Sequence, residues 1–252
     1  MRNIKLTIEY DGTNYSGWQV QKSTVHSPQS TLKTIQEEIE KAIAKITGKR
    51  SKLYGSGRTD RGVHAKEQIA NFHTLSRLSL DTLKRGLNAV LPDDISITKI
   101  EEVDKNFHSR FDVKAKTYRY TILNSKSSSP FIKNYSLYIP YRLNLSTMKK
   151  EARVLLGRHD FKSFRASDKK QKSTVRTIKK INIGSKGSLI TIDIEADGFL
   201  YNMVRNIIGT LIEIGRGKFP PGSIKRILKA KDRTVAGPTA PAHGLCLMKV
   251  RY

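Results

Sequence analysis

One short segment of the chain combines residue types that could perform chemistry on a polyanion. Within residues 55–65 a single carboxylate, Asp60, stands between Arg58 and Arg61, and glycines occupy positions 55, 57 and 62. Glycine tolerates positive φ angles and lets a partner approach the backbone closely. The segment therefore predicts a tight loop that presents an acid among cations. A surface turn whose charges cancel is the alternative interpretation, since short motifs often occur by chance.

The overall charge indicates a polyanionic partner. Lysine and arginine number 47 against 22 aspartates and glutamates, which gives a formal net charge of +25. Such self-repulsion is relieved by a polyanion, and counterion release from phosphates favours nucleic acid in particular. A basic protein without such a partner is the alternative. A membrane-surface role is disfavoured, because the sequence contains no basic amphipathic helix and no long apolar run.

The cysteine and histidine content argues against a metal site. The single Cys246 excludes an intramolecular disulfide and a cysteine-based zinc site. Six histidines are scattered without a pair at ligand spacing, so we predict no bound metal. The first residues lead into an alternating strand pattern with no signal peptide before it, which predicts a cytoplasmic location.

The elements that must position this loop alternate through the first ~105 residues. Strands are predicted where apolar and polar residues alternate, and helices where apolar residues recur three and four positions apart. The predicted elements are strands over 4–10, 52–56, 68–73 and 95–100, a helix over 32–46 ended by Gly48, and a helix over 80–91. This order is typical of an α/β layer with helices on one face.

A similar order of elements begins near residue 110. The predicted elements are a strand over 117–123, a helix over 146–156 capped by Asn144 or Ser146, strands over 177–183 and 188–196 turned at 184–187, a helix over 199–214 and a strand over 245–250. The buried side of the helix over 199–214 is predicted to comprise Tyr201, Val204, Ile208, Leu211 and Ile212. The fold class is therefore α/β (α+β), with domains over residues 1–108 and 109–252.

A second basic feature lies in the predicted C-terminal domain. From residue 162 to residue 180 there are eight basic residues and one acid, Asp168, with serine and threonine between them. This composition is typical of a phosphate-contacting loop, and a solvated surface loop is the alternative. The candidate RNA-binding residues are Lys162, Arg165, Lys169, Lys170, Lys172 and Arg176.

Taken together, these motifs resemble the TruA-type tRNA pseudouridine synthases. The signature is Gly-Arg-Thr-Asp-Arg-Gly-Val-His-Ala at residues 57–65. Further blocks match in the family's order at 10–13 with 15–19, 116–120, 159–164, 198–206 with 209–211, and 236–241 with 244–245. The resemblance covers nearly the whole chain. It implies the pseudouridine synthase fold, in which two ferredoxin-like (RRM-like) α/β halves form a central, mostly antiparallel mixed sheet.

The resemblance also implies a reaction, the isomerisation of uridine to pseudouridine in the anticodon stem-loop of tRNA, at nucleotides 38, 39 and 40. It implies no metal, nucleotide or redox cofactor, and a homodimer with the tRNA crossing both subunits. The target base lies in or beside a stem, so it must be unstacked, which costs a few kcal/mol.

Five residues receive roles through the resemblance. Asp60 is the catalytic carboxylate, which could add to C1′, add to the base or remove a sugar proton. Arg205 keeps that carboxylate ionised, and Arg58 assists base flipping by filling the stack or gripping a phosphate. Tyr118 stacks on the target uracil and Leu245 packs against it from below. The structural alternatives are an exposed Arg205, and core positions for Tyr118 and Leu245.

Several questions stay open at this level. The same chemistry could act on another RNA, such as ribosomal RNA, or the chain could be a non-catalytic RNA-binding protein or chaperone. Thr59 and His64 are expected to shape the loop through hydrogen bonds, and Trp18 to pack in the core rather than stack on RNA. Ser56 stands where the family's alanine is expected, and the polar segment 22–29 has no assigned role.

Overall fold

The computed structural model describes residues 1–20, 33–166 and 173–252. These residues divide into two compact units, Met1–Lys114 with Leu247–Tyr252, and Ala115–Cys246. The polar segment 22–29 and the candidate residues Lys169, Lys170 and Lys172 lie outside the described residues. No helix in the described ranges is long and apolar enough to cross a membrane.

The first unit contains an antiparallel sheet and two helices. Its elements are β1 (Arg2–Tyr10), α1 (Ile35–Thr47), β2 (Tyr54–Gly55), β3 (His64–Thr74), α2 (Leu80–Val90) and β4 (Ile95–Val103). Strand β1 lies between β3 and β4 and pairs antiparallel with both, while β2 pairs antiparallel with β3. The part of β10 (Leu245–Arg251) that belongs to this unit lies beside β3.

Simple sequence rules account for the bounds of these elements. Alternation along β1 leaves Ile4, Leu6 and Ile8 with no solvent exposure, as predicted. Helix α1 begins after Thr34, whose hydroxyl accepts the backbone N–H of Glu37 at 3.3 Å. It ends at Gly48, where the φ angle of 73° favours glycine.

The second unit contains the remaining strands and three helices. Its elements are β5 (Ala115–Asn124), β6 (Leu137–Ile139), α3 (Leu145–Arg153), β7 (Gly157–Asp160), β8 (Val175–Lys186), β9 (Leu189–Ala196), α4 (Met203–Gly215) and α5 (Ser223–Ala230). The strand order is β5-β9-β8-β7, with antiparallel neighbours. Strand β6 pairs parallel with β5. The mostly antiparallel α/β class predicted from the sequence is confirmed.

Two predicted boundaries in this unit are wrong. Helix α4 begins at Met203 rather than at residue 199, because Asn202 has a φ angle of 58°. Tyr201 therefore precedes the helix and is 48% exposed, instead of lying on its buried side. The turn after β8 is centred on Gly187 rather than on 184–187, because strand pairing continues through Lys186.

Helix α4 is buried on nearly every side. Eleven of its thirteen residues are buried, and only Arg205 and Glu213 are not. Two of the buried residues, Asn206 and Thr210, are polar and have no solvent exposure. Their side chains require hydrogen-bond partners inside the unit, because a buried polar group without one is costly.

Three elements of this unit were not predicted. Strand β7 reads Gly-Arg-His-Asp, which carries no apolar alternation, and β6 has only three residues. Helix α5 buries Ile224 and Ile227 at helical spacing, but its eight residues are too few for the pattern to stand out.

Candidate active site

The loop that carries Asp60 closes in a tight turn. The backbone N–H of Val63 donates to the carbonyl of Asp60 at 3.1 Å. Gly62 within this turn has a φ angle of 77°, a conformation that favours glycine. Asp60 is half-buried, while Arg58 and Arg61 on either side are exposed. The turn thus holds the carboxylate partly sheltered, with cations next to it in sequence.

The start of the loop is fixed to strand β3. The backbone N–H of Ser56 donates to the carbonyl of Ile69 at 2.7 Å, and the Ser56 hydroxyl donates to Gln68 Oε1 at 2.6 Å. Gln68 Nε2 in turn donates to the carbonyl of Gly57 at 2.9 Å. Ser56 is therefore a buried bracing residue, and a serine serves at the position where the family's alanine was expected.

Two glycines of the segment after β1 let the loop approach closely. A Cβ atom at Gly12 would lie 2.1 Å from the carbonyl oxygen of Val63, and one at Gly17 would lie 2.5 Å from that of Thr59. Gly17 also has a φ angle of 94°. Both contacts are with backbone, which cannot rotate aside, so a side chain at either glycine would displace the turn around Asp60.

Trp18 packs against the loop that carries Asp60. Its backbone N–H donates to the carbonyl of Thr59 at 3.1 Å, and its indole packs where a Cβ of Gly55 would stand, 2.5 Å from Nε1. Trp18 is 1% exposed, with its ring 6.1 Å from that of Tyr10. The predicted core position of Trp18 is confirmed.

Thr59 and His64 make the structural hydrogen bonds expected of them. The Thr59 hydroxyl lies 2.8 Å from the Tyr10 hydroxyl, and both residues are buried. His64 Nδ1 lies 3.1 Å from the Gly12 nitrogen and 3.0 Å from Asp11 Oδ1. One nitrogen cannot accept and donate at once, so Nδ1 accepts the Gly12 N–H when it carries no hydrogen and donates to Asp11 when it carries one. Either state ties the loop to the end of β1.

A chain of amides orients Arg58. Its Nε donates to Gln19 Oε1 at 3.2 Å, and Gln19 Nε2 donates to Gln36 Oε1 at 2.7 Å. Gln36 is 5% exposed and donates to the carbonyl of Leu53 at 3.2 Å. Neither Gln19 nor Gln36 was given a role from the sequence, because a contact between side chains 17 positions apart leaves no local pattern.

Tyr118 and Leu245 both belong to the second unit. Tyr118 lies on β5 opposite Ile194 of β9, and its ring meets that of Phe199 edge-on at 5.2 Å. Tyr118 is 8% exposed and Leu245, the first residue of β10, is 5% exposed. An edge-to-face contact fixes the plane of the Tyr118 ring.

Arg205 is anchored rather than exposed. Its Nε donates to the carbonyl of Ala240 at 2.7 Å, and its Nη1 donates to Asn202 Oδ1 at 3.1 Å. The backbone N–H of Ala240 donates back to the carbonyl of Arg205 at 3.1 Å. The alternative of a solvent-facing arginine is therefore wrong. The guanidinium has a fixed place, set jointly by α4 and the segment around Ala240.

The segment before β10 is seated on one face of α4. Thr239 Oγ1 donates to Asn206 Oδ1 at 2.6 Å, and the backbone N–H of Gly237 donates to Thr210 Oγ1 at 2.9 Å. These contacts satisfy the two fully buried polar side chains of α4. Nearby, the Tyr120 hydroxyl donates to the carbonyl of Pro241 at 2.9 Å. Burial raises the pKa of Tyr120, although Arg205 opposes this, so the hydroxyl keeps its proton.

The candidate RNA-binding residues differ in their surroundings. Lys162 is exposed, and Arg165 is half-buried. Arg176 donates from Nη1 to the carbonyls of Val175 at 2.6 Å and Ser173 at 3.2 Å, so its guanidinium lies against its own backbone. Helix α5, which was not predicted from the sequence, adds the exposed basic residues Lys225, Arg226 and Lys229.

Helix α5 is joined to the Lys162 segment by a buried hydrogen bond. The Ser163 hydroxyl donates to the carbonyl of Ile227 at 2.6 Å. Lys231 Nζ, just after α5, lies 3.3 Å from Asp160 Oδ2. The two basic segments are therefore adjacent on this unit. In the described ranges, no group of three or more His, Cys, Asp or Glu side chains could hold a metal ion.

Comparisons with known proteins identify the family. A family model described as tRNA pseudouridine synthase matches residues 6–112 and 152–252. The tRNA pseudouridine synthase A of Thermoanaerobacter sp. (strain X514) is 48% identical over 252 residues, and that of Clostridium acetobutylicum is 47% identical; each alignment covers 100% of both chains.

Among solved structures, a chain of a Cbf5-Nop10-Gar1 complex aligns over 97% of this chain and 49% of its own, at 12% identity and a TM-score of 0.37, too low to support an argument. The family-model match and the full-length relatives suffice: this chain belongs to the tRNA pseudouridine synthase family, isomerases that convert uridine in RNA to pseudouridine.

Proposed function

We propose that the chain isomerises uridine to pseudouridine in the anticodon stem-loop of tRNA, at positions 38, 39 and 40. The observation that carries the proposal is the loop over residues 55–65. Its half-buried carboxylate, Asp60, stands on a backbone fixed from β3, Gly17 and Trp18. The relatives named tRNA pseudouridine synthase A support tRNA as the substrate.

The reaction balances within the substrate. The bond between N1 of uracil and C1′ of ribose breaks, and a bond between C5 and C1′ forms. C5 loses its proton and N1 gains one. Asp60 initiates this exchange by adding to C1′, by adding to the base or by removing a sugar proton. All three routes require an ionised carboxylate, which neighbouring cations favour.

The remaining site residues receive supporting roles in the proposal. Arg205 keeps the catalytic carboxylate ionised, and its two anchoring hydrogen bonds suit a fixed cation. Arg58, exposed and oriented by Gln19, assists base flipping. Tyr118 stacks on the target uracil and Leu245 packs against it.

The basic surface supplies phosphate contacts. Lys162 and Arg165 flank Ser163, which is hydrogen-bonded to α5, and α5 carries exposed lysines; this adjacency of two basic segments supports a common role in contacting the RNA backbone. We also propose a homodimer, which would double this surface, and a cytoplasmic location, where a tRNA substrate is met.

Tritium release tests the proposal directly. An anticodon stem-loop transcript with 5-tritiated uridine releases its label to water only when C5 loses its proton. Wild-type protein should release tritium, whereas Asp60→Ala and Asp60→Asn should release none and bind the transcript as wild type does. Asp93→Ala, which removes an exposed carboxylate from the same unit, is the matched control and should keep full turnover.

The outcomes separate the open alternatives. Release from ribosomal RNA alone would favour a related enzyme with another substrate. Tight RNA binding with no release from any RNA would favour a chaperone. Turnover retained by Asp60→Asn would refute the role of this carboxylate.

A further inference from the structure

Three aromatic rings lie in a row at the surface of the first unit, with neighbouring planes tilted by 55° and 38°. The rings of Tyr54 and His108 lie 4.9 Å apart, and those of His108 and Phe111 lie 4.4 Å apart. We call these three residues the aromatic platform. Phe111 at its end is 74% exposed. Burial of this ring within the unit therefore does not explain why a phenylalanine stands there.

Cations lie against both ends of the aromatic platform. Lys52 Nζ is 5.1 Å from the centroid of the Tyr54 ring, and the guanidinium carbon of Arg110 is 5.8 Å from that of Phe111. Both distances suit cation–π interaction. An exposed ring flanked by cations is the combination that binds single-stranded RNA, in which bases stack on aromatic rings and phosphates contact basic residues.

The loop that presents Phe111 is held by a buried serine. Ser109 has no solvent exposure. Its backbone N–H donates to Asn71 Oδ1 at 3.0 Å, its hydroxyl donates to the carbonyl of Tyr54, and its carbonyl accepts the Tyr252 hydroxyl at 2.8 Å. Ser109 thus ties the segment that carries Phe111 to the backbone of Tyr54.

Two buried asparagines extend this support. Asn3 and Asn71 have no solvent exposure, and Asn71 Nδ2 donates to Asn3 Oδ1 at 2.9 Å. Asn3 Nδ2 donates to the carbonyls of Asp104 and Phe107, both at 2.9 Å. Burying amides is unfavourable unless they are fully hydrogen-bonded, so this network fixes the loop over residues 104–112 in one conformation. A fixed loop presents its exposed ring without an ordering cost on binding.

The acids of this loop are hydrogen-bonded to its own backbone. Asp104 Oδ1 accepts the backbone N–H of Asn106, and Asp112 Oδ2 accepts that of His108, both at 2.8 Å. Both carboxylates therefore act on the backbone of the loop. The ring itself is bordered by Arg110.

We propose that the aromatic platform is a stacking site for an unpaired nucleobase of the RNA substrate, with Lys52 and Arg110 contacting the adjacent phosphates. The inference rests on the proposed function and adds to it a binding site outside the catalytic loop. Tyr54 directly precedes Gly55, so β2 connects this site to the loop that carries Asp60.

A second copy of the chain is the competing occupant. A symmetric contact through Phe111 would bring Lys52 and Arg110 of one copy towards those of the other, and like charges across an interface are unfavourable. RNA has the complementary charge. The structure therefore favours RNA over self-association at this surface.

Phe111→Ala tests the inference through RNA affinity. Base stacking on a protein ring is worth a factor of about 5 to 150 in affinity per base, so the Kd for a fluorescent stem-loop with an unpaired loop should rise by that factor. Phe111→Tyr should bind as wild type does. Phe131→Ala removes a 91% exposed phenylalanine from the second unit, and as the matched control it should leave the Kd unchanged.

Phe111→Trp adds a direct spectroscopic signal. The natural Trp18 is 1% exposed, so its emission should respond little to a ligand at the surface. An indole at position 111 should be quenched when a base stacks on it. We expect quenching on RNA addition in Phe111→Trp and none of comparable size in wild type.

Two results would overturn the inference. One is a Phe111→Ala variant that melts at the wild-type temperature and binds RNA with the wild-type Kd. The other is a change in oligomeric mass by mass photometry with an unchanged Kd, which would make the surface a protein contact. This test measures RNA affinity and not turnover. An unchanged Kd in Phe111→Ala would therefore not affect the tritium-release result for the wild type, and an absence of tritium release would not affect the measured affinities.

Discussion

Substitution of Gly209, in the middle of α4, is a test in which helix propensity and packing predict opposite changes in the stability of the protein. Alanine is the better helix former, by up to about 1 kcal/mol, so helix propensity predicts that Gly209→Ala stabilises the protein. The structure predicts the reverse. A Cβ atom at Gly209 would lie 1.7 Å from the carbonyl oxygen of Pro238.

The size of the effect follows from that distance. Ordinary contact begins at 3.4 Å, so the two backbones must separate by 3.4 − 1.7 = 1.7 Å. Overpacking of this kind destabilises by about 1–3 kcal/mol, and a clash with backbone belongs at the upper end. After the gain in helix propensity, a loss of about 2 kcal/mol remains, which lowers the Tm by roughly 4–8 °C for a chain of this size.

The same displacement should reach Arg205. The carbonyl of Ala240, which accepts Arg205 Nε at 2.7 Å, lies two residues beyond Pro238. A misplacement of about 1 Å in a site can lower turnover roughly 100-fold. We therefore expect kcat/KM for tritium release to fall by about that factor in Gly209→Ala, with the Kd for RNA nearly unchanged.

Differential scanning fluorimetry and tritium release measure the two effects. Gly184→Ala is the matched control, because its Cβ would lie 3.5 Å from Thr191 Oγ1, an ordinary contact in the same unit. It should melt and turn over as wild type does. A Gly209→Ala variant with a raised Tm and full turnover would show that the close approach to Pro238 is not what requires glycine.

Two further predictions concern buried and titrating groups. Tyr10→Phe and Thr59→Val should each lower the free energy of unfolding by about 1–3 kcal/mol, because each removes one hydroxyl of the buried Tyr10–Thr59 hydrogen bond and leaves the other without this partner. In urea unfolding, the double variant should lose less than the sum of the two single losses. Strict additivity would contradict an interaction between the two hydroxyls. Partial burial alone would raise the pKa of Asp160, but hydrogen bonds from Thr174, Lys162 and Lys231 outweigh it and lower the pKa. The resulting stabilisation is present at pH values above the unfolded pKa of about 3.9 and is lost as the pH falls through the lower folded pKa. Asp160→Asn should therefore flatten the fall in Tm with decreasing pH below about pH 4. An unchanged slope of Tm against pH would refute this prediction.

The regular elements with strong periodicity were predictable from sequence. Alternation in β1 and helical spacing in α1 both gave the right element, since one buried face leaves a clear pattern. The start of α4 was not predictable, because the residues before it are as apolar as the helix. Only the positive φ angle of Asn202 separates them, and asparagine adopts that angle too rarely for the residue type alone to predict it.

The family pattern alone named Asp60 and Arg205 as candidate site residues, and their roles stay predictions. The contacts that support these residues could not be predicted from the sequence. The bracing by Gln68 and the approach of Gly209 to Pro238 join residues far apart in the chain. Such contacts leave no local pattern. Nor does the exposure of Phe111, since nothing in its neighbours distinguishes a displayed ring from a buried one.

The burial of α4 limits how enzymes with this fold can change. A helix with eleven of its thirteen residues buried offers few positions where a substitution is neutral, so the surroundings of Arg205 cannot change without disturbing the core. Adaptation to new RNAs should therefore accumulate at the periphery, in residues such as Phe111 and the lysines of α5. Chimaeras that exchange these peripheral segments between relatives should alter substrate choice while the chemistry stays intact.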